Sequence, residues 1–169
     1  MVKKRAKASS QLKLGLLSDL DSDIFVESHD EIMLWVDEHI EGILRKAFPQ
    51  LFRHGSILSS KVWERPMTTS GRDKRLLGFA DLYWVVTHPP AGHIAEPANF
   101  GFIEVKTKIR PGPDIRQIRA YMEFLREEID PHGWRRLSCP LVVSPDCRYE
   151  KLLNEQKILF LPYDPKKWE

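Results

Sequence analysis

In the segment Phe102-Ile103-Glu104-Val105-Lys106-Thr107 a carboxylate and an ammonium interrupt an otherwise apolar run, two residues apart. Side chains on a strand alternate faces, so Glu104 and Lys106 project together while Ile103 and Val105 enter the opposite layer. Burying either charge costs several kcal/mol unless it is paired or holds a metal. A same-face salt bridge is the plain explanation for so common a triplet. A second apolar run, Gly78 to Val86, carries Asp81 as its only charge. Two adjacent strands, each interrupted by a carboxylate, make a two-carboxylate pocket. Such a pocket suits a hard divalent cation such as Mg²⁺, which takes oxygen ligands and keeps several waters. Beside it, Lys106 would orient or deprotonate water, or stabilise charge on departing phosphate oxygens. Gly78 would let another group approach the backbone closely. Asp81 also has an ordinary alternative, as a strand-end residue capping a turn.

The segment after Lys106 adds a second pair. Gln117 and Tyr121 are four residues apart and share one face of a helix. Arg116 and Arg119 flank Gln117 and are candidates for reaching phosphates. Gln117 also stands at capping-box spacing from Asp114, and Tyr121 could equally be core.

These residues need a scaffold. A first helix is predicted over about 29–48, because Ser28 and Glu31 have capping-box spacing and Ile32, Val36, Ile40, Ile43 and Ala47 form one apolar stripe before Pro49. Strands follow at about 57–66, 76–87 and 100–109, the last two separated by a proline-rich loop over 88–98. A second helix is predicted from Asp114 to about Ile129, then a buried strand over 140–144, a helix over 147–156 and a final strand over 158–162. The order α-β-β-β-α-β-α-β implies an α/β fold with a central mixed sheet flanked by helices. Residues 28–169 read as one domain, preceded by a basic arm and lead-in segment over 1–27.

Taken together, Asp81, Glu104-Val105-Lys106 and Gln117-x-x-x-Tyr121 resemble the PD-(D/E)XK nuclease superfamily, most of all its RecB-like and lambda-exonuclease-like branch. The resemblance spans roughly residues 29–162. It implies a restriction-endonuclease-like α-β-β-β-α-β core, here with an added helix and strand. It also implies a Mg²⁺- or Mn²⁺-dependent phosphodiesterase acting on DNA. On that resemblance Asp81 and Glu104 would be metal ligands, Lys106 the catalytic lysine, and Gln117 and Tyr121 would position the site or the strand being cut. Ala80 stands where the proline of the family's name would be. Relatives of the RecB-like branch often add a His or Glu from the first helix. Glu31 is explained as a cap and Glu38 lies opposite the apolar stripe, which leaves His29 and His39. Glu64 is either a supporting carboxylate or a surface partner of Lys61 or Arg65. The alternative function is a catalytically silent module of this fold that binds DNA or scaffolds a larger DNA-processing complex.

Composition is ordinary for a soluble globular domain. The chain has 169 residues, 42% hydrophobic and 30% charged, with a net charge of +2. That balance neither demands nor excludes nucleic acid, although Lys3, Lys4, Arg5 and Lys7 at one end and Lys166 and Lys167 at the other concentrate positive charge. The two cysteines, Cys139 and Cys147, form no Cys-x-x-Cys pair, so neither a zinc site nor an iron–sulfur cluster is supported. His88, His93 and Glu96 match no zinc spacing. No apolar run is long enough to span a bilayer and no secretory signal is read at the N-terminus, so a cytoplasmic location is expected. DNA, whether single-stranded, double-stranded or branched, is the expected partner. A homodimer or a larger DNA-processing complex is compatible with this, although no residue pattern marks an interface.

Overall fold

The first helix, α1, His29–Ala47, begins at the signal expected of it. The Ser28 hydroxyl accepts from the Glu31 backbone and the Glu31 carboxylate accepts from the Ser28 backbone, at 3.2 and 2.8 Å. Two of the four orphan donors of the helix start are thereby satisfied. Ile32, Val36, Ile40 and Ile43 are buried against the sheet. This computed structural model describes residues 28–69, 73–94, 96–127 and 135–167. The expected arm and lead-in over 1–27 lie outside the described residues, as does the expected end of the second helix at Ile129.

Three antiparallel strands follow: β1, Ile57–Thr68; β2, Leu76–Thr87; and β3, Ala98–Val105. Helix α2, Pro111–Arg126, then crosses over to the short strand β4, Arg135–Leu137, and to β5, Leu141–Ser144, both parallel to β3. A 3₁₀ turn and helix α3, Glu150–Glu155, lead to β6, Leu159–Pro162, parallel to β5. The sheet order is β1-β2-β3-β5-β6, with β4 beside the start of β3. It is a mixed sheet with helices on both faces. α1 covers one face, over Leu82, Trp84, Val86, Ile103, Val105 and Val143. α2 and α3 cover the other, over Phe100, Phe102 and Val142. β5 is buried at all four positions, which is why its sequence reads as an unbroken apolar run. Among the described residues no helix is long and apolar enough to cross a membrane.

β1 runs past its expected end at Pro66 to Thr68, since an edge strand tolerates the donor that proline lacks, and two further boundaries differ nearer the site. β3 stops at Val105, not at residue 109, so Lys106 is the first residue beyond the strand. Its backbone N–H still bonds the Val143 carbonyl at 3.0 Å. α2 begins at Pro111 and not at Asp114. Proline is tolerated in the first helical turn because the N–H it lacks would be an orphan there. Asp114 is buried and accepts from the Arg110 backbone N–H at 2.6 Å, so it closes the helix start from inside the first turns.

One irregularity shapes the site. Strict alternation along β2 would put Ala80 on the same face as Leu82. Instead Ala80 packs on the α2 side and Leu82 on the α1 side. The neighbouring strand breaks at the same level. Trp63 packs towards α1, Arg65 lies over the Tyr83 ring at 3.9 Å, and Glu64 between them takes φ 47°. Both strands of the hairpin therefore kink at Asp81 and Glu64. Strand irregularities of this kind re-aim side chains.

Candidate active site

Asp81 sits where β2 and β3 part. Their backbone pairing runs from Val86↔Asn99 to Leu82↔Ile103 and goes no further. In place of the next ladder bond, the Val105 N–H donates to Asp81 Oδ2 at 2.6 Å. The carboxylate thus takes over a backbone donor that the splayed strands leave unpaired. Asp81 Oδ1 lies 3.4 Å from His29 Nε2, so the first residue of α1 joins the site. The other candidates from that helix do not. Glu31 caps α1 and Glu38 is exposed. His39 bonds the Trp35 carbonyl and stacks on the Trp35 ring.

Glu104 is on β3, 1% exposed and on the α2 side of the sheet with Phe102. Its Oε2 accepts from Lys106 Nζ at 2.9 Å. Its Oε1 is buried without a partner, one of only two such side-chain atoms among the described residues, the other being Trp84 Nε1 in the core. Burial pushes the Glu104 carboxyl up to about 7, and the charge of Asp81 pushes the same way, while Lys106 opposes both. For Lys106, burial works against the ammonium, but the Glu104 carboxylate outweighs it and the net direction is upward. Lys106 is therefore held as an ammonium.

Beyond Lys106 a hydrogen-bond chain leads back to β2. Lys106 Nζ donates to Gln117 Oε1 at 3.4 Å, Gln117 Nε2 donates to Tyr121 Oη at 2.7 Å, and Tyr121 donates to the Phe79 carbonyl at 3.2 Å. Gln117 and Tyr121 face the site, one turn apart on α2, and Gln117 caps nothing. Tyr121 is fully buried, with its ring edge-on to Phe102. Gly78 makes room for it. A Cβ at Gly78 would fall 2.2 Å from Tyr121 Oη, and the residue's φ of 148° disfavours any side chain.

The remaining sequence candidates sit outside this cluster. Glu64 falls between the paired positions Trp63↔Leu82 and Arg65↔Ala80, opposite Asp81, but it is exposed. The two surface partners considered for it are engaged elsewhere: Lys61 with Asp37, and Arg65 with the Tyr83 ring. Arg116 is exposed, and Arg119 is hydrogen-bonded to Gln156. In the 88–98 loop, His88 bonds Ser56 and Asn99, and Glu96 bonds Arg53.

Two supporting carboxylates were missed. Asp114 closes the start of α2 within electrostatic reach of Lys106. Asp146 accepts from the Ile109 N–H at 3.0 Å, and Arg148 holds its carboxyl well below the usual range. Between them they pin residues 106–110, the segment that carries Lys106. A capping signal is legible at both, but not which backbone each would hold.

No family model matches this chain, and no curated protein does. Two solved structures are similar to it. A repair endonuclease from Pyrococcus abyssi shows 15% identity and a TM-score of 0.38 over 76% of this chain and 47% of that one. EndoMS in a complex with dsDNA shows 17% identity and a TM-score of 0.35 over 76% of this chain and 44% of that one. The chain spans less than half the length of either.

Proposed function

We propose that this chain is a metal-dependent nuclease that hydrolyses DNA phosphodiester bonds at the point where β2 and β3 part. The observation that carries the reading is Glu104: a carboxylate buried to 1% exposure, with one oxygen on Lys106 and the other unpartnered, beside a second carboxylate. An ordinary buried salt bridge would not leave an orphan oxygen beside a second carboxylate. Among the described residues no three His, Cys, Asp or Glu side chains are placed to hold a metal ion together, so a closed zinc site does not fit. A two-carboxylate site for Mg²⁺ or Mn²⁺, completed by water and substrate oxygens, does fit. Glu104 Oε1 and Asp81 Oδ1 are the oxygens that would hold it. When bound, the cation supplies Lewis-acid polarisation of the phosphoryl group and a more acidic water.

The chain's own groups then divide the work. Lys106, kept protonated, does not serve as a base. It donates to phosphate oxygens and stabilises the charge that builds there. Gln117 positions the Lys106 ammonium through its amide oxygen, and Tyr121 fixes the Gln117 amide through the opposite end. His29, with Nε2 against Asp81, orients that carboxylate. The RecB-like resemblance belongs to the same proposal, because the Gln117–Tyr121 pair is what leads to Lys106.

The test is cleavage of single-stranded, double-stranded and branched DNA with Mg²⁺ or Mn²⁺. Removing Lys106 takes away one preorganised charge, so Lys106→Ala is expected to cut turnover by about 10²–10³. Equal trace activity in wild type and Lys106→Ala on every substrate would overturn the reading. Calorimetric titration with Mn²⁺ separates a silent module, which would bind no metal, from the active enzyme.

A further inference from the structure

Beyond Leu82 the β1–β2 hairpin runs on without β3, so residues 63–68 and 76–81 form a two-stranded ribbon overhanging the carboxylates. α2 packs against one face of this ribbon, through Met67 and the Tyr121 contact at Gly78. The opposite face is apolar and open. Phe79 is 50% exposed, and Pro66, paired with it across the ribbon, is exposed as well. Lys74 and Arg75, both exposed, lead into this end of β2. The backbone beneath Phe79 is fixed, because its carbonyl is the last acceptor in the chain from Lys106. Phe79 stands two residues from Asp81, about 6.6 Å along the strand at 3.3 Å per residue.

We propose that this open face is a platform for an unpaired nucleic-acid strand, on which Phe79 stacks a base while the adjoining phosphate lies at the Asp81 side of the carboxylate pair. The proposal rests on the nuclease reading and adds the substrate class. Charge complementarity favours a polyanion, given Lys74 and Arg75 at the approach. The side chains decide its form. A two-stranded ribbon can enter the major groove of a duplex, but it reads bases there through polar groups. Phe79 and Pro66 offer none. What they match is the flat face of a base, which is available only where the strand is unpaired.

The experiment is fluorescence anisotropy in EDTA, where no cleavage occurs, with a labelled 20-nucleotide oligothymidylate and a labelled hairpin duplex. Wild type is expected to bind the single strand at least tenfold tighter than the duplex, and Phe79→Ala to weaken single-strand binding by about tenfold. Phe79→Trp, which keeps a stacking surface, should restore it. With Mg²⁺ present, Phe79→Ala should raise KM more than it lowers kcat. Unchanged single-strand affinity in Phe79→Ala, or a preference for the duplex, overturns the proposal. So does self-association of the wild type that Phe79→Ala abolishes while single-strand affinity is kept, since the face would then join two copies. Failure of the underlying reading looks different. If Phe79→Ala loses single-strand binding while wild type and Lys106→Ala cleave equally poorly, the platform stands and the nuclease does not.

Discussion

Glu104→Gln should make the metal-free protein more stable at alkaline pH. The folded state raises the Glu104 carboxyl from its ordinary 4.5 to about 7, chiefly by burial and then by the charge of Asp81. Between those two values the folded protein binds more protons than the unfolded chain, so stability falls as pH rises through the window. Below 4.5 the carboxyl is neutral in both states and nothing is lost. Above 7 the loss is complete, at roughly 3 kcal/mol on the scale of 1.36 kcal/mol per decade. Glutamine keeps the shape and stays neutral throughout. Its amide oxygen can still accept from Lys106. The variant is therefore expected to match wild type near pH 4.5 and to exceed it by up to roughly 3 kcal/mol at pH 8. At about 2–4 °C per kcal/mol, that corresponds to roughly 6–12 °C in Tm. The assay is urea unfolding of both proteins in EDTA at a series of pH values. Titrations common to the two cancel in the difference. A variant no more stable than wild type at pH 8, or a difference that does not grow between pH 4.5 and 8, would refute the reasoning. Adding Mn²⁺ should then close the gap from the wild-type side, since a ligand at 100 times its Kd contributes about 2.7 kcal/mol.

Gly78→Ala should cost on the order of 2 kcal/mol or more in the same unfolding assay, because its Cβ would overlap Tyr121 Oη in backbone that already disfavours a side chain. An unchanged Tm would show that Tyr121 can withdraw freely. Tyr121→Phe removes the donor to Phe79 and the acceptor for Gln117, and should lower stability by about 1 kcal/mol. In steady-state cleavage it should lower kcat rather than raise KM, since Lys106 loses its orientation while the binding surface stays. Ser28→Ala removes one arm of the capping box and should cost about 1 kcal/mol, read as a Tm lower by about 2–4 °C.

The elements were legible where local chemistry decided them. Ser28 and Glu31 marked the start of α1 because the capping box is a contact between neighbours. β2 matched its expected span, Leu76–Thr87, because a dense apolar and aromatic run ends there at prolines. The start of α2 was misplaced because Asp114 has a capping residue's type but acts from inside the helix. β4 was missed altogether: Arg135-Arg136-Leu137 has no periodicity, and the strand is defined only by its partner β3. At the site, residue types and spacing singled out Asp81, Glu104, Lys106, Gln117 and Tyr121, which the fold does bring together. What spacing cannot carry is long-range geometry. His29 reaches Asp81 only because α1 starts beside the point where β2 and β3 part. The kink that separates Ala80 from Leu82 depends on the backbone of Glu64, a residue with no sequence mark of it.

That kink bears on more than the candidate site. β1 is an edge strand of 12 residues, long enough to serve as a template for pairing with another chain. The left-handed backbone of Glu64 breaks its line, Pro66 removes a donor, and Lys61, Glu64 and Arg65 place charge along it. Holding a non-glycine residue in that conformation costs roughly 1–2 kcal/mol. The same distortion that re-aims β2 at Asp81 thus leaves β1 without a flat edge to offer a second copy. Glu64→Gly would relieve the strain, but it would also free the edge to straighten, so solubility on prolonged storage is the property it puts at risk.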